Sequence, residues 1–268
     1  MNRKKILIIG GGTAGLIIAN QLQDYFNVVV IEKSKNIKYP TIYKIPLFIG
    51  LLFRKKKSKY FTKRELILSN GRKIPFFESS LLGGASIING CVHTIGSKLK
   101  WESILKAFDS SYEALLESYG KLYSTNQKIN SKINLTLASQ NIIDSTFMES
   151  LSQKNIPTGD MNFSDKESCG PILNTSKKYF RTSILSTISQ QRQMCIRDRQ
   201  IIDSDYVILS GGVIGTNSIL LEIKKKHDQE GLSTLSKLDI GSGIKDHTNL
   251  RVNVITNKNI GSLNEISN

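Results

Sequence analysis

An α/β fold built on a parallel sheet is predicted by three observations. The apolar run Lys5–Gly10 reads as a strand, Leu16–Phe26 as a helix with Leu16, Ala19, Asn20 and Leu22 near one face, and Val28–Ile31 as a second strand. The apolar stretch Val207–Leu221 then returns the chain to the same sheet. Between Trp101 and Arg181, helical spacing over Ile104–Tyr119 and Ile142–Gln153 predicts a partial, mainly helical region beside that sheet.

The turn between the first strand and helix reads Gly10-Gly11-Gly12-Thr13-Ala14-Gly15, the pattern G-x-G-x-x-G. In such a turn Gly10 permits the tight reversal, Gly12 lets backbone approach a pyrophosphate, and Gly15 allows the helix to pack closely on the strand. Thr13 and Ala14 open the helix, where unpaired N–H groups and the helix dipole favour an anion. Glu32 ends the second strand about 20 residues after the first glycine, the position from which a carboxylate accepts hydrogen bonds from ribose hydroxyls. Strand, turn, helix, strand and acidic end occur in order, so a Rossmann-like dinucleotide-binding domain is expected; the motif alone leaves FAD and NAD(P) open.

Composition bounds the remaining possibilities. The 268 residues hold 37 Lys and Arg against 22 Asp and Glu, a net charge of +15, and are 39% hydrophobic, which supplies a core and excludes disordered and collagen-like classes. The apolar run Pro46–Phe53 falls short of the roughly 18 residues that span a bilayer, so no integral membrane segment is expected. Basic Met1–Lys5 followed by Ile6–Ile9 resembles the start of a signal peptide, but the glycines interrupt it at once, so a cytoplasmic location is expected. Cys91, Cys169 and Cys195 give neither a disulfide framework nor metal-ligand spacing; free thiols and no metal are expected. The basic runs Arg54–Lys57 and Lys224–Lys226 could attract polyanions. Lysine is nevertheless spread along the chain beside Ile, Asn and Ser, as an AT-rich genome produces, and no nucleic-acid motif accompanies it, so no nucleic-acid partner is expected.

A second glycine-rich segment is Ser79-Ser-Leu-Leu-Gly-Gly-Ala-Ser-Ile-Ile-Asn-Gly-Cys-Val-His-Thr-Ile-Gly96. It resembles the first signature of the glucose-methanol-choline (GMC) oxidoreductases at Leu82, Gly83, Gly84, Ser86, Asn89, Gly90, Val92 and Gly96. Ile45-Pro46-Leu47, Gly50, Gly71-Arg72 and Trp101 are similar to the stretches flanking that signature. Asp160-Met161-Asn162, Gly170 and Arg181-Thr182-Ser183 resemble landmarks of the substrate side, Val207–Thr216 with Gly212 resembles the second signature, and Gly241–His247 resembles a later one ending in Asp246-His247.

The resemblance implies an FAD-dependent oxidation of an alcohol, with hydride passed from its carbinol carbon to flavin N5. It implies that Leu81, Gly84, Ser86 and the stretch Asn89-Gly90-Cys91-Val92 lie along the flavin cofactor. The glycines make room for an extended ligand; Ser86 and Asn89 can offer hydrogen bonds, although both residues also favour turns. Some members attach FAD through a histidine in this segment. Ile87 and Ile88 precede Asn89 here, so a non-covalent FAD is expected. Ile95 stands where the signature carries arginine.

A base, usually histidine, takes the hydroxyl proton in this family. The resemblance implies that this histidine and its His or Asn partner lie beyond Asn268, so the catalytic residues are unknown. His93 stands at an aromatic position and reads as a packed side chain, His227 as solvent exposed, and His247 as part of a landmark that is not the catalytic pair. The alternatives are a non-catalytic FAD-binding fragment or an NAD-dependent enzyme, for which Gly83–Asn89 would have no purpose. The alcohol and the electron acceptor are not identified by these residues.

The expected organisation is a first part of the FAD-binding domain at 1–100, a substrate or cap region at 101–190, and a return segment at 191–268. The family has several strands between the Arg181 landmark and the Val207 strand, whereas only Ile184–Asp205 intervenes here. The polar string Gln190–Gln200 includes Met-Cys-Ile-Arg-Asp-Arg, which resembles translated sequencing-adapter read-through. A spliced artefact that loses several tens of residues is expected there, and resequencing across the junction decides it.

Overall fold

A computed structural model describes residues 3–34, 39–54, 58–126, 132–140, 142–162, 168–186, 201–229 and 238–244. The string at 190–200, Cys195, Asp246 and His247 lie outside the described residues. The chain forms two compact units, one from residues 1–38, 57–86 and 188–253 and the other from 39–56, 87–187 and 254–268.

The first unit carries the parallel sheet. Strands β1 (Lys5–Ile9) and β2 (Asn27–Ile31) are joined by helix α1 (Thr13–Leu22). Two further strands, β3 (Phe61–Ile67) and β4 (Lys73–Ser79), form an antiparallel hairpin. Strand β5 (Tyr206–Leu209) leads into helix α2 (Gly212–Gln229). The sheet order is β5-β1-β2, all parallel, with Leu7 opposite both Val29 and Val207.

The alternation of Ile6 and Ile8 puts both side chains on one face of β1. They are buried with Val30 against Ile18, Ala19, Leu22, Phe26, Val28 and Ile208. Helix α1 begins at Thr13, earlier than the apolar spacing suggests, because Gly12 ends the turn and Leu16 N–H already donates to its carbonyl. It ends at Leu22, and amides of Tyr25 and Phe26 close on the Leu22 carbonyl to bring the chain into β2.

The hairpin is absent from the sequence-based expectation, yet its turn is written in Asn70-Gly71. Gly71 takes φ +78°, and Asn70 Oδ1 accepts from Arg72 N–H at 3.0 Å. Ser80 N–H donates to the Tyr60 carbonyl at the hairpin's base, which fixes where Leu81 begins.

In the second unit helices at Lys98–Leu105, Tyr112–Leu122 and Ile142–Ser152 prevail, joined by strands of two residues each. The single helix expected over Ile104–Tyr119 is two helices. Asp109 sits at φ +48°, and the Ser111 hydroxyl caps the second helix by accepting from Ala114 N–H at 3.1 Å. Asp-Ser-Ser competes for backbone hydrogen bonds and so outweighs the apolar periodicity. Among the described residues no helix is long and apolar enough to cross a membrane.

Ile8 is fully buried. Ile8→Ala is therefore expected to destabilise the protein by about 3 kcal/mol through lost burial and a cavity. Ser111→Ala is expected to cost only about 1 kcal/mol. Urea unfolding of the two variants checks the ranking.

Candidate functional site

The three motif glycines divide into two kinds. A Cβ on Gly10, at φ +113°, would lie 2.4 Å from the Ser210 carbonyl oxygen, and one on Gly15 would lie 2.0 Å from the Gly10 carbonyl oxygen. These two glycines serve the protein's own packing. Gly12 differs: its Cβ direction is open, with Ser210 O at 3.9 Å the nearest atom. Gly12 is also the N-cap of α1, and no side chain caps that helix. An open approach at the middle glycine and an uncapped helix start with Thr13 and Ala14 in its first turn are what an extended pyrophosphate requires.

The second glycine pair docks on this turn. Gly83 N–H donates to the Gly11 carbonyl at 2.8 Å, and Thr13 Oγ1 donates to the Gly83 carbonyl at 3.3 Å. Gly84 takes φ +58°, and a Cβ there would come within 2.9 Å of Gly12 Cα. Leu81 is buried beneath this turn, and Ser86 Oγ donates to the Gly83 carbonyl at 2.7 Å. The Ser86 hydroxyl thus shapes the turn and keeps acceptor capacity to spare.

Glu32 is held by two backbone amides. Its Oε2 accepts from Gly11 N–H at 2.5 Å and its Oε1 from Ser34 N–H at 2.7 Å. A carboxylate offers about four acceptor positions, so the pair of amides orients it and leaves capacity for ribose hydroxyls. Ser210 and Gly11 are the residues that motif reading passed over as site groups. Ser210 Oγ donates to the Ile9 carbonyl at 3.1 Å and to the Gly10 carbonyl at 2.9 Å. Gly212 opens α2 at φ +75°, with open space around its Cβ direction.

The remaining candidates belong to the second unit. Asn89 Oδ1 accepts from Cys91 N–H at 3.2 Å, a side-chain turn that supports Cys91 at φ +64°. Gly90 has open space at its Cβ direction, Cys91 is buried, and Val92 is exposed. Burial pushes the Cys91 thiol up, with the Arg181 charge pulling the other way.

His93 is half-buried and packed. Its Nε2 lies 2.6 Å from the Tyr119 hydroxyl, and its ring stands 4.6 Å from that of Tyr123, which stacks on Tyr119. Burial holds the imidazole below its ordinary value and pushes both phenols up. His227, read from sequence as solvent exposed, is half-buried on α2 with its Nδ1 shielded.

The sheet and its glycine cradle define an α/β protein of the dinucleotide-binding type. No protein-family model matches the sequence. Among curated proteins it is similar to pyranose dehydrogenase 3 of Leucoagaricus meleagris, 28% identical over 144 residues that make up 48% of this chain and 23% of that protein. It is also similar to pyranose dehydrogenase of Agaricus campestris, 31% identical over 41% of this chain and 19% of the relative. Oxygen-dependent choline dehydrogenase of Staphylococcus haemolyticus is 30% identical over 38% of this chain and 18% of its own length. The matched segments thus span about a fifth of these relatives.

Solved structures with the same fold include pyridoxine 4-oxidase from Mesorbium loti, at TM-score 0.62 and 15% identity over 78% of this chain and 50% of that one. Formate oxidase of Aspergillus oryzae, in a variant studied for FAD modification, matches at TM-score 0.62 and 17% identity over 88% of this chain and 51% of its own. The relatives agree with the resemblance that the two signatures carry over the portion they share, and the solved structures share the fold.

The depressed His93 value makes stability depend on pH. The unfolded chain takes up a proton at this residue as pH falls through about 6.5, whereas the folded protein resists it. Stability is therefore expected to fall below about pH 6.5 until the lower folded value is passed. His93→Phe should flatten this part of the profile, measured as urea midpoints at successive pH values.

Proposed function

We propose that this protein binds FAD non-covalently on the β1–α1 turn and contributes to an FAD-dependent oxidoreductase acting on the CH–OH group of a small alcohol. The observation that carries the reading is the division of labour among the glycines: Gly10, Gly15 and Gly84 are filled by the protein itself, and Gly12 is left open. The relatives' names support the substrate class, since they include a pyranose and a choline dehydrogenase.

FAD, when bound, supplies the hydride-accepting flavin. The chain's own residues bind and orient it. The first-turn amides of α1, at Thr13 and Ala14, face the pyrophosphate, and Glu32, already fixed by Gly11 and Ser34, takes the ribose hydroxyls. Leu81, Gly84 and Ser86 continue the wall; the further cofactor contacts that the resemblance implies are Asn89, Gly90, Cys91 and Val92. A non-covalent cofactor is supported by buried, unreactive Ile87 and Ile88 and by His93, whose Nε2 is engaged by Tyr119. None of His93, His227 and His247 is assigned as the base.

Gly12 provides the test, because its φ of −77° and ψ of −172° suit alanine as well as glycine. Gly12→Ala is expected to leave stability without cofactor within about 0.5 kcal/mol. It should weaken FAD binding at least tenfold, read by quenching of flavin fluorescence. Glu32→Gln keeps the geometry but loses the charge-assisted bond to ribose and should weaken FAD by about tenfold. Wild-type protein that acquires no flavin absorbance with FAD would overturn the proposal.

A further inference from the structure

The second unit holds a pocket of about 460 Å³ beside the helix Ile142–Ser152 and the strands Thr136–Leu137 and Leu173–Asn174. Every residue that lines it belongs to that unit. The volume falls within the roughly 300–1,000 Å³ typical of small-molecule sites. Leu137, Met148, Pro171 and Leu173 supply its apolar surface.

The walls of the pocket are fastened before any ligand arrives. Leu137 stands opposite Leu173 in an antiparallel pair, and Ala138 N–H donates to the Ile172 carbonyl at 2.9 Å. The loop after the helix is tied back by two backbone bonds, from Gly159 N–H to the Cys169 carbonyl and from Cys169 N–H to the Pro157 carbonyl, each 2.9 Å. Asn162, only 3% exposed, completes the frame. Its amide donates to Asp160 Oδ1 at 2.9 Å and to the Pro171 carbonyl at 3.2 Å, and its Oδ1 accepts from Leu173 N–H at 3.1 Å. A pocket framed in this way is preorganised, so a ligand has little loop to order on binding.

The polar groups left uncommitted are acceptors. Asp160 Oδ1 takes both bonds from Asn162, one from its backbone N–H at 2.8 Å and one from its amide, while Oδ2 has no partner among the described residues. No lysine or arginine among those residues forms an ion pair with this carboxylate, although the chain carries a net charge of +15. Gln140 Nε2 donates to the Met148 sulfur at 3.7 Å, which leaves the Gln140 carbonyl oxygen as a second acceptor. Thr125 and Thr158 add hydroxyls, which accept as readily as they donate. An ammonium group has donors and no acceptor, so it matches this set. A ligand carboxylate would meet Asp160 as a like charge.

We propose that this pocket binds a small apolar amine in its protonated form, with the hydrocarbon against Leu137, Met148, Pro171 and Leu173 and the ammonium at Asp160 and Gln140. The site lies wholly in the second unit, and its occupancy does not depend on FAD. Asp160 is exposed, so the charge contributes about fivefold in affinity, as for a favourable exposed ion pair.

The whole chain is titrated at neutral pH with 2-phenylethylamine, phenylacetamide and phenylacetate, which share a ring and differ in charge, and backbone amide chemical shifts are followed. At about 0.15 M salt the protein's overall charge is screened beyond about 8 Å, so the ranking reports the groups in the pocket. Shifts are expected to centre on residues 136–138, 158–162 and 171–173. The amine should bind about fivefold tighter than the amide, with the carboxylate weakest. Asp160→Asn keeps an acceptor for the Asn162 N–H groups and should bring the amine within about twofold of the amide. Leu137→Trp, at an exposed strand position, fills the pocket and should remove measurable binding of all three. An amine that binds no tighter than the amide, a preference that survives in Asp160→Asn, or shifts centred elsewhere overturns the proposal. So does wild-type protein that binds none of the three. The wild-type ranking and shift map decide the matter even where a variant fails to fold, and none of these outcomes bears on flavin binding, which is read separately by flavin absorbance.

Discussion

The crowding of three backbone segments around Gly10 is the constraint on which the first unit depends. The Ser210 carbonyl occupies the space a Gly10 side chain would need, and the Gly10 carbonyl occupies the space a Gly15 side chain would need. The end of β1, the start of α1 and the end of β5 are therefore held closer than any pair of L-residues with side chains would permit. Ser210 ties the contact with bonds to the Ile9 and Gly10 carbonyls. The Gly83–Gly84 turn closes over the same spot from outside the sheet, and the whole wall of the candidate cofactor site descends from this one close approach.

The parts of this arrangement that depend on local chemistry were legible in the residues. β1, β2 and β5 are apolar runs, and the parallel sheet follows from them. The G-x-G-x-x-G string names its own geometry, because only glycine tolerates those contacts. Other features depend on tertiary partners and were not legible. Nothing local in Gly83 indicates that its N–H meets the Gly11 carbonyl, and nothing in Glu32 indicates that two amides hold it before any ligand arrives. The break at Asp109-Ser110-Ser111 and the turn at Asn70-Gly71 lie between these cases. Their residues carried the signal, but the apolar periodicity runs straight across the first, and the second is a single dipeptide between strands whose apolar alternation is weak.

The second unit achieves order by other means. Its strands are two residues long, too short for a backbone ladder to satisfy the surrounding peptide groups. Buried side-chain amides do part of that work. Asn162 donates to Asp160 Oδ1 at 2.9 Å and to the Pro171 carbonyl at 3.2 Å, and accepts from Leu173 N–H at 3.1 Å. Asn89 and Thr175 act likewise around Cys91. At Gly170 a Cβ would fall 1.7 Å from the Gly159 carbonyl oxygen, so backbone proximity takes over where no side chain fits. Such a framework is sensitive to single polar substitutions, since a buried donor left without its partner is penalised more than the bond itself was worth.

The central position of β1 also bears on how the chain acquires its structure. One neighbour, β2, is about twenty residues away along the chain, while the other, β5, makes contacts across 201 positions, as between Ser210 and Ile9. On a ribosome, at roughly 5–20 residues per second, the first partner arrives within seconds and the second only some tens of seconds later. Until then one edge of an apolar strand has no native neighbour, and nascent chains of this protein carry their greatest exposure to misassociation over that interval.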